Sequence, residues 1–247
     1  TARTPPMVET FAALLFAHVL ADFVFQTNWM VANKARPSGF AAHAAVVLAT
    51  LLISLGQWHP ALAGLAALHM LIDLIKTRLP QRLAAFLADQ ALHLVSLAAL
   101  ALWQPQLWAA SPYAGHSALP AAMALIAGAL IATRGGGFAI GLLMAPFAAQ
   151  IPAEHAPASL PGAGRLIGIL ERGLIFALIL FGQAEGVGLL IAAKSILRFG
   201  VVKDDRALSE YVIIGTLASV GWAILAAFAT QTLLGLLPPL GILPLAP

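Results

Sequence analysis

The sequence predicts an all-α protein, a polytopic transmembrane helix bundle of about eight spans with one additional short interfacial or re-entrant helix. Of its 247 residues, 61% are apolar and 9% are charged, whereas a soluble domain has roughly 25% charged residues. The mean hydropathy is +0.92, and long apolar runs alternate with short basic or Pro/Gly-rich joints. This pattern is typical of helical membrane proteins and excludes a water-soluble globule.

Each span is identified as a run of about 20 mostly apolar residues. Five such runs lie at 10–31, 40–57, 61–75, 83–103 and 119–133. Three more lie at 166–183, 187–197 and 211–237. The run at 187–197 is short enough for a tilted span or a re-entrant helix. Residues 138–149 are apolar over only about 12 positions, a length that suits an interfacial or half-inserted helix.

Basic residues gather in the joints on one predicted side of the membrane. Because Lys and Arg accumulate in cytoplasmic loops, we expect this side to be cytoplasmic and both termini to be non-cytoplasmic, in a bacterial inner membrane. The chain then divides into a four-helix half (1–103), a connection with one span and one short helix (104–164) and a C-terminal half (165–247). The basic residues concerned are Lys34, Arg36, Lys76, Arg78, Arg82, Arg134, Arg165, Arg198, Lys203 and Arg206.

Composition also limits the function. The chain has no Cys, which excludes thiolate metal sites, iron–sulfur clusters and disulfides. The formal charge of +3 is explained by membrane topology, so we expect the lipid bilayer, and not a nucleic acid, as the surrounding partner. No removable signal is visible at the first residues, so the first apolar run is expected to remain in the mature protein.

Three predicted spans carry a His and an Asp four residues apart. This spacing places both side chains on one face of a helix. With 7 His and 5 Asp in the chain, chance predicts roughly 0.3 pairs at this spacing. Buried charges are costly in a membrane and usually mark function. The pairs are His18 with Asp22, His69 with Asp73, and Asp89 with His93.

The order of each pair follows the direction of its span. The fourth span runs opposite to the first and third, and its pair is reversed, with Asp89 before His93. All three Asp residues are therefore expected one turn nearer the cytoplasm, with the His residues about 6 Å deeper. Three facing helices would then place a layer of carboxylates beneath a layer of imidazoles.

Imidazole and carboxylate groups without sulfur are the ligands of Zn, Mn or Fe sites. In the leading hypothesis His18, His69, His93 and two of the three Asp residues bind a divalent metal. A remaining Asp, with Asp22 and Asp89 the candidates, acts as a general base in the hydrolysis of a phosphate or ester. His43 either joins this cluster from the cytoplasmic end or is structural.

Two other functions use the same residues. In the first, the His/Asp ladder relays protons or binds an ion in a transporter or channel. In the second, the polar layers only fix helix packing in a non-catalytic subunit of a larger membrane complex, whose partners are other membrane subunits. The sequence contains no inverted repeat, which argues against a transporter. Whether the protein is an enzyme stays open at this point.

A second polar set occurs in the C-terminal half. Glu171 and Lys194 are expected to pair, and bridges of this kind are sufficient as a structural account. The alternative is that Arg172, Lys194 and Arg198 bind an anionic head group or phosphate.

These residues also carry a family resemblance. The pattern resembles the bacterial membrane family known as domain of unknown function 3307, which implies a membrane protein without an assigned activity. A looser similarity is to the membrane-bound metal-dependent hydrolases, and it is one of fold only. The matching stretches are 16–18, 21–23 with Gln26, Trp29, 33–34, His43, 69–73 with Lys76, 89–90 with His93, 168–172, 192–195 with 198–199, 210–211 and 214–216.

Overall fold

The computed structural model describes residues 5–150, 160–198 and 206–241, with only the backbone at positions 197–198. The described residues form ten α-helices and no strand, which confirms the all-α fold. The helices are α1 (Pro6–Leu20), α2 (Asn28–Ala32), α3 (Pro37–Leu55), α4 (Pro60–Lys76), α5 (Leu83–Trp103), α6 (Leu119–Leu130), α7 (Gly136–Ala148), α8 (Ala163–Leu180), α9 (Glu185–Arg198) and α10 (Arg206–Gly235).

Among the described residues, five helical stretches are long and apolar enough to cross a membrane. They are Pro6–Phe25, Pro37–Leu55, Leu83–Trp103, Leu119–Ala148 and Arg206–Gly235. The predicted count of eight spans is not confirmed. The other three predicted runs do form helices, but α4 has 17 residues, α9 has 14 and α8 has 18, and α8 also carries Arg165, Glu171 and Arg172.

Several predicted boundaries differ from the structure by a few residues, and two elements differ more. The first span was expected to reach residue 31, but α1 ends in a π-helical turn, Ala21–Phe25, and the chain then breaks at Gln26. The short interfacial helix expected at 138–149 is not separate, because α6, a π-helical turn (Ile131–Gly135) and α7 form one continuous helical stretch. Three consecutive glycines at 135–137 remain helical there.

Helix ends in the first part of the chain follow local chemistry. Pro6, Pro37 and Pro60 each begin a helix, where the missing N–H costs nothing because it would have no intrahelical partner. Helix α3 ends at Gly56, which has φ +64°, the left-handed conformation that glycine adopts without strain. A Cβ at Gly56 would also overlap Tyr113, so this turn requires glycine.

The chain packs as two compact units. The first lies within residues 1–130 and 232–241, and the second within 131–231. In the first unit, α1 contacts α3 and α5, α3 contacts α4, and α4 contacts α5. These four helices therefore surround a common interior, which is where the paired His and Asp residues lie. The three-part division at residues 103 and 164 stays a prediction.

Candidate metal centre

All six predicted ligand residues point into the interior of the first unit. His93, Asp73, His69, Asp89 and His18 have exposed fractions of 1% to 5%, and the Asp22 side chain is 9% exposed. The i,i+4 pairs thus occupy the buried faces of α1, α4 and α5, as their spacing predicts. A seventh residue completes the cluster: His43 of α3 is fully buried among them.

One candidate metal-binding group consists of Asp22, His43 and His69. Asp22 Oδ1 lies 3.5 Å from His43 Nε2 and 3.3 Å from His69 Nε2, and the two Nε2 atoms are 3.3 Å apart. Tetrahedral zinc with ligands at about 2.0–2.1 Å has ligand–ligand separations of about 3.3–3.4 Å. The three atoms therefore have the spacing of three ligands around one ion.

Two further groups could hold an ion by a looser distance limit. In each, the candidate ligand atoms lie within 4.8 Å of one another, and the groups are His18 with His69 and His93, and Asp73 with Asp89 and His93. The rings of His69 and His93 are stacked with centroids 4.0 Å apart, and the His18 ring lies 5.0 Å from that of His93. These contacts agree with the expected layer of imidazoles.

Two lysines enter the cluster from outside the predicted ligand set. Lys34 Nζ lies 2.7 Å from Asp73 Oδ2, and Lys76 Nζ pairs with Asp89 Oδ2. Asp89 Oδ2 also accepts a hydrogen bond of 3.1 Å from the Gln90 amide. Asp73 and Asp89 are thereby neutralised by lysines within the protein.

Asp22 is different, because its only ionic contacts among the described residues are with histidines. They are His18, His43 and His69, at 4.0, 3.5 and 3.3 Å. Asp22 Oδ1 also accepts no hydrogen bond in this part of the chain. A buried carboxylate without a cation is unfavourable, so this position calls for a bound cation or a protonated histidine.

Hydrogen bonding alone does not satisfy His43. Its Nε2 lies 3.1 Å from Asp73 Oδ2 and 3.1 Å from the Gln26 amide nitrogen, besides its neighbours Asp22 and His69. A neutral ring nitrogen carries either one proton or one lone pair, so it can serve only one of these four partners. Across the described residues, the Nδ1 atoms of His18, His43 and His93 have no hydrogen-bond partner.

The segment between α1 and α3 positions Lys34 over the cluster. Thr27 caps α2 by accepting a hydrogen bond of 3.2 Å from Met30 N. The segment then packs closely on α3, where a Cβ at Gly39 would overlap the carbonyl of Asn33. Glycine at position 39 therefore permits the approach that brings Lys34 to Asp73.

Beyond the imidazoles the described interior contains apolar side chains and a few hydroxyls. A cavity of only about 10 Å³ separates His18 and His69 from Val47, Leu51 and Leu65. That volume holds at most one water molecule. The hydroxyls of Thr50 and Ser96, which also line it, donate to carbonyls of their own helices at 2.9 and 2.7 Å. Among the described residues that line this cavity, His18 and His69 are the only ionisable ones.

The three head-group candidates lie in the second unit. The predicted pair of Glu171 and Lys194 is confirmed, with Oε2 and Nζ 2.6 Å apart. Arg172 is 4% exposed and donates from Nε and Nη2 to the carbonyls of Ala132 and Thr133 and from Nη1 to Ser219 Oγ. The side chain of Arg198 falls outside the described residues.

Comparison with known proteins agrees with the family resemblance over part of the chain. Residues 10–118 match the family described as "Protein of unknown function (DUF3307)". This stretch contains every His, Asp and Lys residue of the cluster. The similarity noted at 168–216 is not part of this match and stays a prediction. No curated protein and no solved structure matches the chain.

Proposed function

We propose that this chain is a multi-pass protein of the bacterial inner membrane that binds a divalent metal ion through Asp22, His43 and His69. The observation that carries the proposal is the set of separations of 3.3–3.5 Å among their three ligand atoms. Three neutral or anionic ligands at tetrahedral spacing favour Zn²⁺ over Mn²⁺ or Fe²⁺.

The charge of the cluster supports the same conclusion. Its three carboxylates face two lysines, so one negative charge remains when the imidazoles are neutral. A divalent ion at Asp22 compensates that charge and gives the Nε2 atoms of His43 and His69, which lie 3.3 Å apart, one common partner. The sequence-based ligand set contained His18, His69 and His93 with two Asp residues. In the proposed site, His43 is a ligand and His18 and His93 are not.

Three protein ligands leave a fourth position open, as in catalytic zinc sites. An ion held in this way would supply a Lewis acid and an activated water for hydrolysis of a phosphate or carboxylic ester. Asp22 then serves as a ligand. Asp89, whose Oδ1 accepts no hydrogen bond from the described residues, is the candidate general base.

Elemental analysis of the detergent-purified protein tests metal binding. We expect about one zinc per chain in the wild type and in His116→Ala, an exposed histidine outside the cluster. We expect the metal to be lost in His43→Ala and Asp22→Asn, with the elution volume in size-exclusion chromatography unchanged. A folded wild-type protein without metal would contradict the proposal and favour the accessory-subunit function, in which these residues only fix packing.

A transporter remains the alternative from another class, since buried His and Asp residues also relay protons. The apolar residues beyond His18 and His69 argue against a continuous path. Proton flux into liposomes that depends on Asp22 or Asp89, together with absence of metal, would favour this alternative.

A further inference from the structure

The second unit contains a cavity of about 510 Å³ that the proposed metal centre does not involve. This volume lies within the range of roughly 300–1,000 Å³ found for small-molecule sites. One part of its wall is apolar, with Ile140, Met144 and Val212, and another part is charged, with Arg172 and Lys194. The cavity thus offers both surfaces that an amphipathic ligand needs.

The charged part carries an excess of positive charge. Among the described residues, two cations, Arg172 and Lys194, and one carboxylate, Glu171, line the cavity, which gives a formal charge of +1. Lys194 is paired with Glu171 at 2.6 Å. Arg172 bonds only to neutral oxygens and makes no ion pair with any described residue.

A guanidinium buried to this extent normally has an anionic partner, because its charge has lost the solvation of water. Carbonyl oxygens orient Arg172 but do not neutralise it. The guanidinium has five N–H groups. The Nε hydrogen is shared between the carbonyls of Ala132 and Thr133, and Nη1 and Nη2 each donate one hydrogen. One further hydrogen remains on Nη1 and one on Nη2. Arg172 therefore keeps donors for a ligand at the cavity wall.

We infer that this cavity binds an anionic phospholipid, with the phosphate at Arg172 and Lys194 and an acyl chain along the apolar wall. Phosphate matches the fork of an arginine and the point charge of a lysine. An acyl chain can pack against Ile140, Met144 and Val212 because its apolar surface is then removed from water, as it is in the bilayer interior. The inference is independent of the metal centre.

Glycines keep the cavity open. Gly164 and Gly215 both line it. A Cβ at Gly164 would meet no atom within 4 Å, and one at Gly215 would make ordinary contact with Met144. A leucine side chain at position 164 should therefore occupy the cavity without pushing neighbouring residues apart. Gly164→Leu is thus expected to block the cavity and to keep the fold.

Native mass spectrometry of the full chain tests the inference with two probes of equal chain length, phosphatidylglycerol and phosphatidylcholine. We expect preferential retention of phosphatidylglycerol by the wild type and by Gly141→Leu, a control on α7 whose Cβ also meets no atom. Gly164→Leu should abolish the preference. Lys194→Gln should weaken phosphatidylglycerol binding about fivefold, and Glu171→Gln should strengthen it by a similar factor.

Equal retention of the two lipids by the wild type would overturn the inference. So would the same affinity in Lys194→Gln and Glu171→Gln, because the charge of the cavity would then be irrelevant. Inorganic phosphate serves as a third probe. If phosphate alone displaces bound phosphatidylglycerol at equal concentration, the site recognises a free anion and the assignment to a lipid is wrong.

Discussion

The two units of this protein bury polar groups in opposite ways. In the first, ring nitrogens and carboxylate oxygens from four helices converge until single atoms have several neighbours within 3.5 Å. In the second, one side chain, Arg172, spreads its donors over three separate oxygens. Convergent groups compete for one point and favour an ion, whereas each nitrogen of Arg172 has its own protein acceptor, which stabilises the fold and leaves the second hydrogens of Nη1 and Nη2 for a ligand.

Charge compensation separates the units as well. Among the described residues, the His/Asp cluster of the first unit has three carboxylates and two lysines, and the carboxylate without a lysine is Asp22. The lining of the cavity in the second unit has one cation more than its carboxylates, and the excess lies at Arg172. Each unit is thus expected to bind a ligand of opposite charge, a metal cation in the first and a lipid phosphate in the second.

The largest effect is expected at Arg172. Arg172→Lys keeps the charge but loses the fork that joins Ala132, Thr133 and Ser219, so we expect a loss of about 2–4 kcal/mol in the free energy of unfolding. Unfolding in mixed detergent micelles measures it. Arg165→Lys, at an exposed position of the same helix, should have no effect. Equal stability of the two variants would show that Arg172 does not hold this unit together.

Two aspartates should respond in opposite directions in metal-free protein. Asp22→Asn removes an uncompensated charge and should raise the free energy of unfolding by about 1 kcal/mol. Asp73→Asn leaves Lys34 without its partner and should lower it by about 1–3 kcal/mol. Thermal unfolding after treatment with a chelator measures both.

Adding zinc should then reverse the advantage of Asp22→Asn. At a free zinc concentration of 100 times the dissociation constant, the free energy of unfolding of the wild type rises by about 2.7 kcal/mol. That of the variant does not rise. If Asp22→Asn is the less stable protein without metal, the carboxylate is paired with a protonated histidine and the cluster is a packing device.

Two neighbouring glycines, Gly136 and Gly137, test how tightly the protein packs around the Arg172 side chain. A Cβ at Gly136 would lie 2.7 Å from Trp222 Cδ1 and 2.9 Å from Arg172 Nε, whereas one at Gly137 would lie 3.4 Å from Arg172 Nη2. Gly136→Ala should therefore cost about 1–2 kcal/mol. Gly137→Ala should cost less than about 0.5 kcal/mol. Similar stabilities in detergent would contradict the close packing around the guanidinium.

The smallest effect is expected at Lys34. Lys34→Gln removes the cation that neutralises Asp73, so the charge beside His43 becomes more negative. We expect zinc to bind up to about tenfold more tightly, as measured by competition with a chelating dye. Arg36→Gln, an exposed change in the same segment, should leave the affinity unchanged. Weaker zinc binding in Lys34→Gln would contradict this expectation and would mean that the Lys34 side chain holds Asp73 and its neighbours in place for the metal.

The sequence predicted the convergence of the first unit because its signal is local. The i,i+4 spacing of His69 with Asp73 and of Asp89 with His93 fixes which side chains share a helix face. Burial of that face follows from the cost of a charge in lipid. The ends of α5, Leu83–Trp103, were also predicted to the residue. A basic joint precedes this helix, and an uncharged polar stretch follows it.

What the sequence did not establish depends on tertiary contacts. His43 has no partner on its own helix, so nothing local distinguished a ligand from a structural histidine. Lys34 and Lys76 were interpreted only as markers of a cytoplasmic loop, although each reaches a carboxylate on another helix. The continuous helix through residues 135–137 depends on donors from Arg172 and Trp222, which are distant in the chain.

Anomalous scattering at the zinc edge from crystals of the purified protein tests the central claim most directly. If Asp22, His43 and His69 bind zinc, one principal peak should lie about 2.0–2.2 Å from Asp22 Oδ1, His43 Nε2 and His69 Nε2. A folded protein without a peak, or a peak held by other residues, would contradict it.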